Sequence, residues 1–91
     1  MPRRKMVRNA PQGREFVFKT PEGREVGRAR NLMEFVSLIK QVPLTSVLYH
    51  ANGGHFASWL EFIGEKNAAG KVRMIKGNTE QVRADIIESC T

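Results

Sequence analysis

The chain has few of the residues from which disulfides, metal sites and catalytic centres are built. It contains one cysteine, Cys90, and two histidines, His50 and His55, among 91 residues. A single cysteine forms no intramolecular disulfide, so a reducing, intracellular setting is predicted rather than secretion. Neither histidine is accompanied by Cys, Asp or Glu at metal-ligand spacing, and the carboxylates are scattered along predicted helices. We therefore expect no metal site, no cofactor and no enzymatic activity.

Long apolar runs are also missing, which limits the fold and the location. No stretch approaches the roughly 20 apolar residues that a membrane-spanning helix requires. The basic start of the chain is followed by no apolar segment of the kind that a signal peptide contains. A length of 91 residues with 41% hydrophobic content suits one domain with a single core. We expect no membrane partner.

Acidic residues are scarce in the first third of the chain, and the net positive charge is concentrated there. Residues 1–30 hold nine Lys or Arg and three Glu, a balance of +6 that equals the net charge of the whole chain, whereas residues 31–91 balance to zero. Four of the nine lie in residues 1–13, which are predicted to be a flexible basic arm ahead of a single domain over residues 14–91. Charge segregated in this way indicates a polyanionic partner.

The first predicted structural element is a β-hairpin. Two β-prone segments flank the sequence Thr-Pro-Glu-Gly at positions 20–23, where proline presets φ and glycine accepts a positive φ. The expected register pairs Phe18 with Val26 and Phe16 with Arg28. One face of the hairpin would then carry both aromatic rings together with arginine side chains.

Helical periodicity dominates the rest of the chain. Asn31 followed by Glu34 is a capping-box signature at the start of a helix that Pro43 ends. Residues 46–50 form a short β-prone run, which predicts a third strand. Further helices are predicted over residues 55–63, over 66–76, and from residue 78 or 79 onward. The predicted fold class is therefore α+β, with a small antiparallel sheet packed against three to four helices.

The hairpin combines the two residue types that single-stranded nucleic acids require. Cations neutralise phosphates, and aromatic rings stack on bases of any identity at roughly 1–3 kcal/mol per base. The candidate nucleic-acid-binding residues are Arg14, Phe16, Phe18, Lys19, Arg24, Arg28, Arg30, Tyr49 and Trp59. The large aromatic residues are also the best candidates for the core, and for any one of them the core is the more frequent location. The alternative role of the arginines is to protect a solvated edge strand, but Arg24, Arg28 and Arg30 are more than that role needs.

The order of these motifs resembles a known family. It runs from F-V-F-K-T-x-E-G-R-E at 16–25 and N-L-M-E-F at 31–35 to V-L-Y-H at 47–50 and F-A-S-W-L-E-F-I-G at 56–64. This pattern, which spans roughly residues 15–76, is similar to the clamp-like single-stranded DNA-binding family of thermophilic archaea, ThermoDBP and its relatives. The resemblance implies a cleft lined by basic and aromatic residues and a cytoplasmic, nucleoid-associated protein.

The chain departs from that family at its end. ThermoDBP has a C-terminal dimerising coiled coil, whereas residues 79–91 are too short for a heptad zipper. A homodimer or higher oligomer would have to use another surface.

Sequence-independent binding of single-stranded DNA is therefore the predicted function, and the choice between DNA and RNA is left open. One alternative is a chromatin- or ribosome-associated binder of double-stranded DNA or RNA, which needs the charge but no stacking rings. The other is a protein-interaction module in which the basic arm contributes only charge. Exposure of Phe16, Phe18, Tyr49 and Trp59 is the observation that separates these readings best.

Overall fold

The structure, a computed structural model, describes residues 9–91 and builds them into a β-hairpin followed by helices. The elements are β1 (Phe16–Lys19), β2 (Glu25–Ala29), α1 (Leu32–Ile39), α2 (Leu44–Gly53), α3 (His55–Phe62), α4 (Lys66–Val72) and α5 (Gln81–Ser89). The two strands form an antiparallel sheet that packs on the helices, so the α+β fold class is confirmed. In the described part of the chain, no helix has the length and apolar character needed to cross a membrane.

The hairpin turn is closed as predicted, but the pairing changes immediately after it. The amide of Thr20 donates to the carbonyl oxygen of Arg24 at 2.9 Å, and Lys19 lies opposite Glu25. A β-bulge then adds one residue to β2, because the register shifts between Phe18 and Lys19.

The bulge moves one of the predicted site residues to the other face of the sheet. Phe18 lies opposite Gly27 and Phe16 lies opposite Ala29, so the predicted pairing of Phe16 with Arg28 is wrong. Arg28 instead pairs with Val17. Side chains alternate along a strand, so the exposed Arg28 lies on the face opposite the two buried rings.

The inner face of the hairpin joins an aromatic core. The ring of Phe16 lies 4.8 Å from that of Phe18 and 5.1 Å from that of Phe56, and Phe35 lies 5.1 Å from Phe56. Phe18, Phe35 and Phe56 are completely buried. Rings of this size supply most of the apolar area available to a small core, and their edge-to-face contacts add to that stabilisation.

Helix α1 begins at its predicted cap and packs closely on the hairpin. The side chain of Asn31 accepts a hydrogen bond from the amide of Glu34 at 2.9 Å, as an N-cap residue does. Gly27 of β2 allows the close approach, because a Cβ at this position would lie 2.9 Å from a methyl group of Leu38.

The predicted third strand at residues 46–50 is wrong, because these residues belong to α2. Val47, His50 and Ala51 are buried at helical spacing, and the carbonyl oxygen of Pro43 accepts from the amides of both Ser46 and Val47. The β-propensity of a short run is weak compared with the burial of a continuous helical face.

The later helices follow the predictions with shifted ends. Gly54 joins α2 to α3 with a φ of 75°, and α4 ends at Val72, four residues before the predicted end. The last helix, α5, begins at Gln81. Its Arg83 donates from one nitrogen to the carbonyl oxygens of Ile39 and Val42, which ties α5 to the end of α1.

The predicted flexible arm lies largely outside the described residues, which begin at position 9. Within the described part, Asn9 and Ala10 contact the domain. The amide of Ala10 donates to the carbonyl oxygen of Arg30 at 2.6 Å, and the Asn31 side chain donates to that of Asn9 at 2.8 Å. Ala10 is buried. The folded unit therefore includes residues 9 and 10 as well as the predicted 14–91.

Candidate nucleic-acid interface

The segment before β1 is held against α3 by a hydrogen bond from Trp59. The indole N–H of Trp59 donates to the carbonyl oxygen of Arg14 at 2.9 Å. This places the Arg14 guanidinium over the ring of Phe62, with 5.9 Å between its central carbon and the ring centroid. A cation within about 6 Å of a ring face is attracted by the quadrupole of the ring.

An open cleft of about 470 Å³ lies between this segment and α3. Its lining residues are Gly13, Arg14, Glu15, His55, Ser58, Trp59 and Phe62. His55, Ser58 and Phe62 lie on one face of α3 because they are spaced three, four and seven residues apart. The cleft therefore combines an aromatic ring and polar side chains on α3 with a cation on the segment before β1.

Phe62 is an aromatic residue that the sequence analysis missed. Its side chain is 54% exposed, although it follows the buried Trp59 and Leu60 on the same helix. The signal was present in the sequence, because the buried stripe of the predicted helix already accounted for its other large apolar residues. A phenylalanine off that stripe must face solvent or a ligand.

Tyr49 continues the exposed aromatic surface beyond the cleft. It is 41% exposed, and its ring lies 5.3 Å from the ring of His55, which lines the cleft. We define the binding strip as Tyr49, His55, Ser58 and Phe62, with Arg14 at one end. Of the four aromatic residues predicted to stack on bases, Tyr49 alone is exposed.

The other three predicted stacking residues are core residues. Phe18 is completely buried, Phe16 is 6% exposed and Trp59 is 9% exposed. Their ring faces pack on each other and on Phe35 and Phe56, so no base can stack on them in this structure. The physical reason is that Phe16 and Phe18 share the inner face of β1 and Trp59 belongs to the buried stripe of α3, so their aromatic area stabilises the core.

The predicted cations divide into paired and unpaired groups. Arg28 forms a bidentate pair with Glu25, and Arg30 forms one with Glu34. Hydrogen bonds from these guanidinium groups lower the pKa of both carboxyls. Among the described residues, the predicted phosphate contacts that form no ion pair are Arg14, Lys19 and Arg24.

A buried histidine connects the binding strip to the hairpin. His50 is 5% exposed, and its Nε2 accepts from the backbone amide of Lys19 at 2.8 Å. Its Nδ1 lies 3.0 Å from Nδ1 of His55. Burial, together with the neighbouring His55 and Lys19, lowers the pKa of His50 to about 4. His50 therefore stays neutral near pH 7.

The described residues contain no group of three or more His, Cys, Asp and Glu side chains that could hold a metal ion. Cys90 is half-buried, and burial raises the pKa of its thiol to about 11. A thiol with a raised pKa is a poor nucleophile near neutral pH.

Comparison of the chain with family models, with curated proteins and with solved structures finds no match. The resemblance to the clamp-like single-stranded DNA-binding family therefore stays a prediction.

Proposed function

We propose that this chain binds single-stranded DNA without sequence preference, using the binding strip and the adjacent cleft. The observation that carries the proposal is the exposed ring of Phe62 beneath the Arg14 guanidinium. Unpaired bases stack on aromatic rings and on guanidinium planes alike, and groups of both kinds lie at the opening of the cleft. Tyr49 provides a second exposed ring along the same surface.

The charge distribution supports a backbone contribution to this binding. Arg14 lies at one end of β1 and Lys19 at the other, so two unpaired cations flank the surface formed by α2 and α3. Residues 1–8 add Arg3, Arg4, Lys5 and Arg8 without an acid. Basic side chains that neutralise phosphates release counterions, and the resulting affinity falls as salt is added.

The geometry favours single strands over duplexes because the aromatic contribution requires a base with a free face. In a duplex each base face is covered by its neighbours, so Phe62 would contribute little. A protein that contacts only the sugar–phosphate backbone would bind a strand without bases as tightly as a strand with bases. The two contributions can therefore be measured separately.

The experiment compares three labelled ligands of equal length by fluorescence anisotropy: oligo(dT), a duplex, and a single strand that has the sugar–phosphate backbone but no bases. We expect oligo(dT) to bind most tightly and the base-free strand to lose about tenfold or more. Trp59 is the one tryptophan of the chain and lines the cleft, so its emission gives a second, label-free signal. Duplex binding equal to that of oligo(dT) would refute the proposal and favour the double-stranded alternative.

Matched variants locate the site. Phe62→Ala should weaken oligo(dT) binding about tenfold and leave binding of the base-free strand unchanged, because one stacked base contributes roughly 1–3 kcal/mol. Met74→Ala is the control, since Met74 is 80% exposed and does not line the cleft. Arg14→Ala should weaken binding of both single strands, whereas Lys66→Ala on α4 should change neither by more than about twofold.

A further inference from the structure

The two histidines form a hydrogen-bonded relay whose protons have defined positions. Nε2 of His50 accepts from the amide of Lys19, so this nitrogen carries no proton. The neutral ring therefore carries its proton on Nδ1 and donates to Nδ1 of His55. His55 must then be protonated on Nε2, which leaves one donor on its outer edge.

The histidine pair cannot bind another proton without breaking one of its two hydrogen bonds. If His55 gains a proton on Nδ1, that N–H faces the Nδ1–H of His50. If His50 instead moves its proton to Nε2, that N–H faces the amide of Lys19. Two donors facing each other within 3.0 Å repel, so one hydrogen bond must open.

His55 is the histidine whose ring can rotate out of the hydrogen bond between the two. It is exposed and lines the cleft, whereas His50 is buried among Phe16, Phe56 and Tyr49. Rotation of His55 away from His50 would cost one hydrogen bond and would expose a cation at the rim of the cleft. The low pKa of His50 agrees with this assignment, because it keeps the added proton off the buried ring.

The charged and titratable groups around the pair are mostly basic. From the neighbouring elements these are Arg14, Glu15, Lys19, Tyr49 and Lys76. Glu15 is the one carboxylate among the described residues that line the cleft, and it already accepts from the amide of Gly13. A positive charge on His55 would therefore have little negative charge near it within the protein. An anionic ligand would provide that negative charge.

We propose that His55 is a proton-dependent phosphate contact: a backbone phosphate of the bound strand draws His55 from its hydrogen bond with His50 and holds it as the imidazolium. This proposal rests on the proposed function, since the strand must first occupy the cleft. Binding then takes up one proton from solvent. The affinity for single-stranded DNA increases as the pH falls, and by linkage the strand raises the proton affinity of His55 by the same factor.

The first test measures the affinity of the full chain for oligo(dT) at about pH 8 and about pH 5.5, on either side of the ordinary range of an imidazole. We expect binding to tighten roughly three- to tenfold at the lower pH, the net effect of about one ordinary hydrogen bond. His55→Gln keeps a polar side chain but cannot become a cation. The affinity of this variant for oligo(dT) should not tighten between pH 8 and pH 5.5, whatever its value at pH 8.

The outcomes separate this proposal from the proposed function. Absence of oligo(dT) binding at both pH values would overturn the function itself. Binding that is equally tight at both values, or equally pH-dependent in His55→Gln, would overturn the histidine contact alone. The variant keeps every other titrating group of the chain, so the difference between the two proteins isolates His55.

A second measurement does not depend on any substitution. The chain has only two histidines, so the ring resonances of His50 and His55 can be followed by NMR through a pH titration. Saturating oligo(dT) should shift the protonation midpoint of His55 to higher pH and leave that of His50 low. A midpoint of His55 that does not move on binding would contradict the proposal.

Discussion

The indole N–H of Trp59 and the carbonyl oxygen of Arg14 are joined by a 2.9 Å hydrogen bond across 45 residues of sequence. The bond fixes the backbone from which the Arg14 side chain reaches the ring of Phe62. Trp59 thus contributes to the core with its ring and fixes the backbone at Arg14 with its N–H. Trp59 was a candidate for base stacking, and in the structure its ring is buried.

Substitution of Trp59 should therefore affect both stability and binding. We expect Trp59→Phe to lower the free energy of unfolding by about 2 kcal/mol, because it removes a hydrogen bond and part of a buried ring. Urea denaturation followed by circular dichroism measures this. Oligo(dT) binding should also weaken, since Arg14 is no longer held over Phe62. The control is Phe62→Leu, an exposed substitution that should change stability by less than about 0.5 kcal/mol. Equal stability of the two variants would contradict the role of the N–H.

The ion pairs of the hairpin predict that its basic side chains contribute unequally to the salt dependence of DNA binding. Arg28 is held by Glu25 at 2.6 Å, whereas Lys19 forms no ion pair among the described residues and its amide bonds to His50. We expect Lys19→Ala to reduce the slope of log affinity against log salt by about 0.7, the value for one phosphate contact on a single strand. Arg28→Ala should change the slope by less than half as much. A larger effect from Arg28 would contradict the assignment of Lys19 as the phosphate contact of the hairpin.

The aromatic hairpin shows how far sequence could predict the fold and the site. The turn at residues 20–23, the Asn31 cap and the helical stripe of α3 follow local rules, and they were predicted correctly. The bulge between Phe18 and Lys19 leaves no clear local signal, and the amide of Lys19 donates there to His50 of another element. That single extra residue moved Arg28 away from the two phenylalanines.

The assignment of α2 failed for a related reason. Val47 and Tyr49 have high β-propensity, which favoured a strand over residues 46–50. The burial of His50 makes positions 47, 50 and 51 an apolar helical face, but only the tertiary contacts with Phe16 and Phe56 permit an imidazole there. Phe62, in contrast, was predictable, since it is an aromatic residue off the stripe of its own helix.

The lowered pKa of His50 predicts acid-sensitive stability. The pKa is about 4 in the folded chain and 6.5 as the ordinary value, so the unfolded chain binds the proton first as the pH falls. The free energy of unfolding is therefore unaffected above about pH 7. It decreases through the interval from 6.5 to 4, by about 3 kcal/mol in total, and then levels off for this group.

His50→Gln tests that prediction, because a glutamine oxygen can still accept from the Lys19 amide but does not titrate. Urea denaturation at several pH values between 7 and 4.5 should show a steep loss of stability for the unaltered chain and a shallow one for the variant. The paired carboxyls Glu25, Glu34 and Glu80 have lowered pKa values, so they stay charged over most of this interval. Parallel curves for the two proteins would assign the acid sensitivity to other groups.

Alanine substitutions at Gly27 and Gly70 should change the free energy of unfolding in opposite directions. A Cβ at Gly27 would lie 2.9 Å from a methyl group of Leu38, so Gly27→Ala must push α1 or the Leu38 side chain away from β2. We expect this variant to lose about 1–2 kcal/mol of stability, the usual effect of overpacking. Gly70 lies within α4 with nothing within 4 Å of its Cβ position. Gly70→Ala should gain about 0.5–1 kcal/mol, because alanine restricts the unfolded chain and favours the helix. Thermal unfolding of both variants against the unaltered chain decides the matter, and a loss of stability in both would mean that α4 has no room for the methyl group.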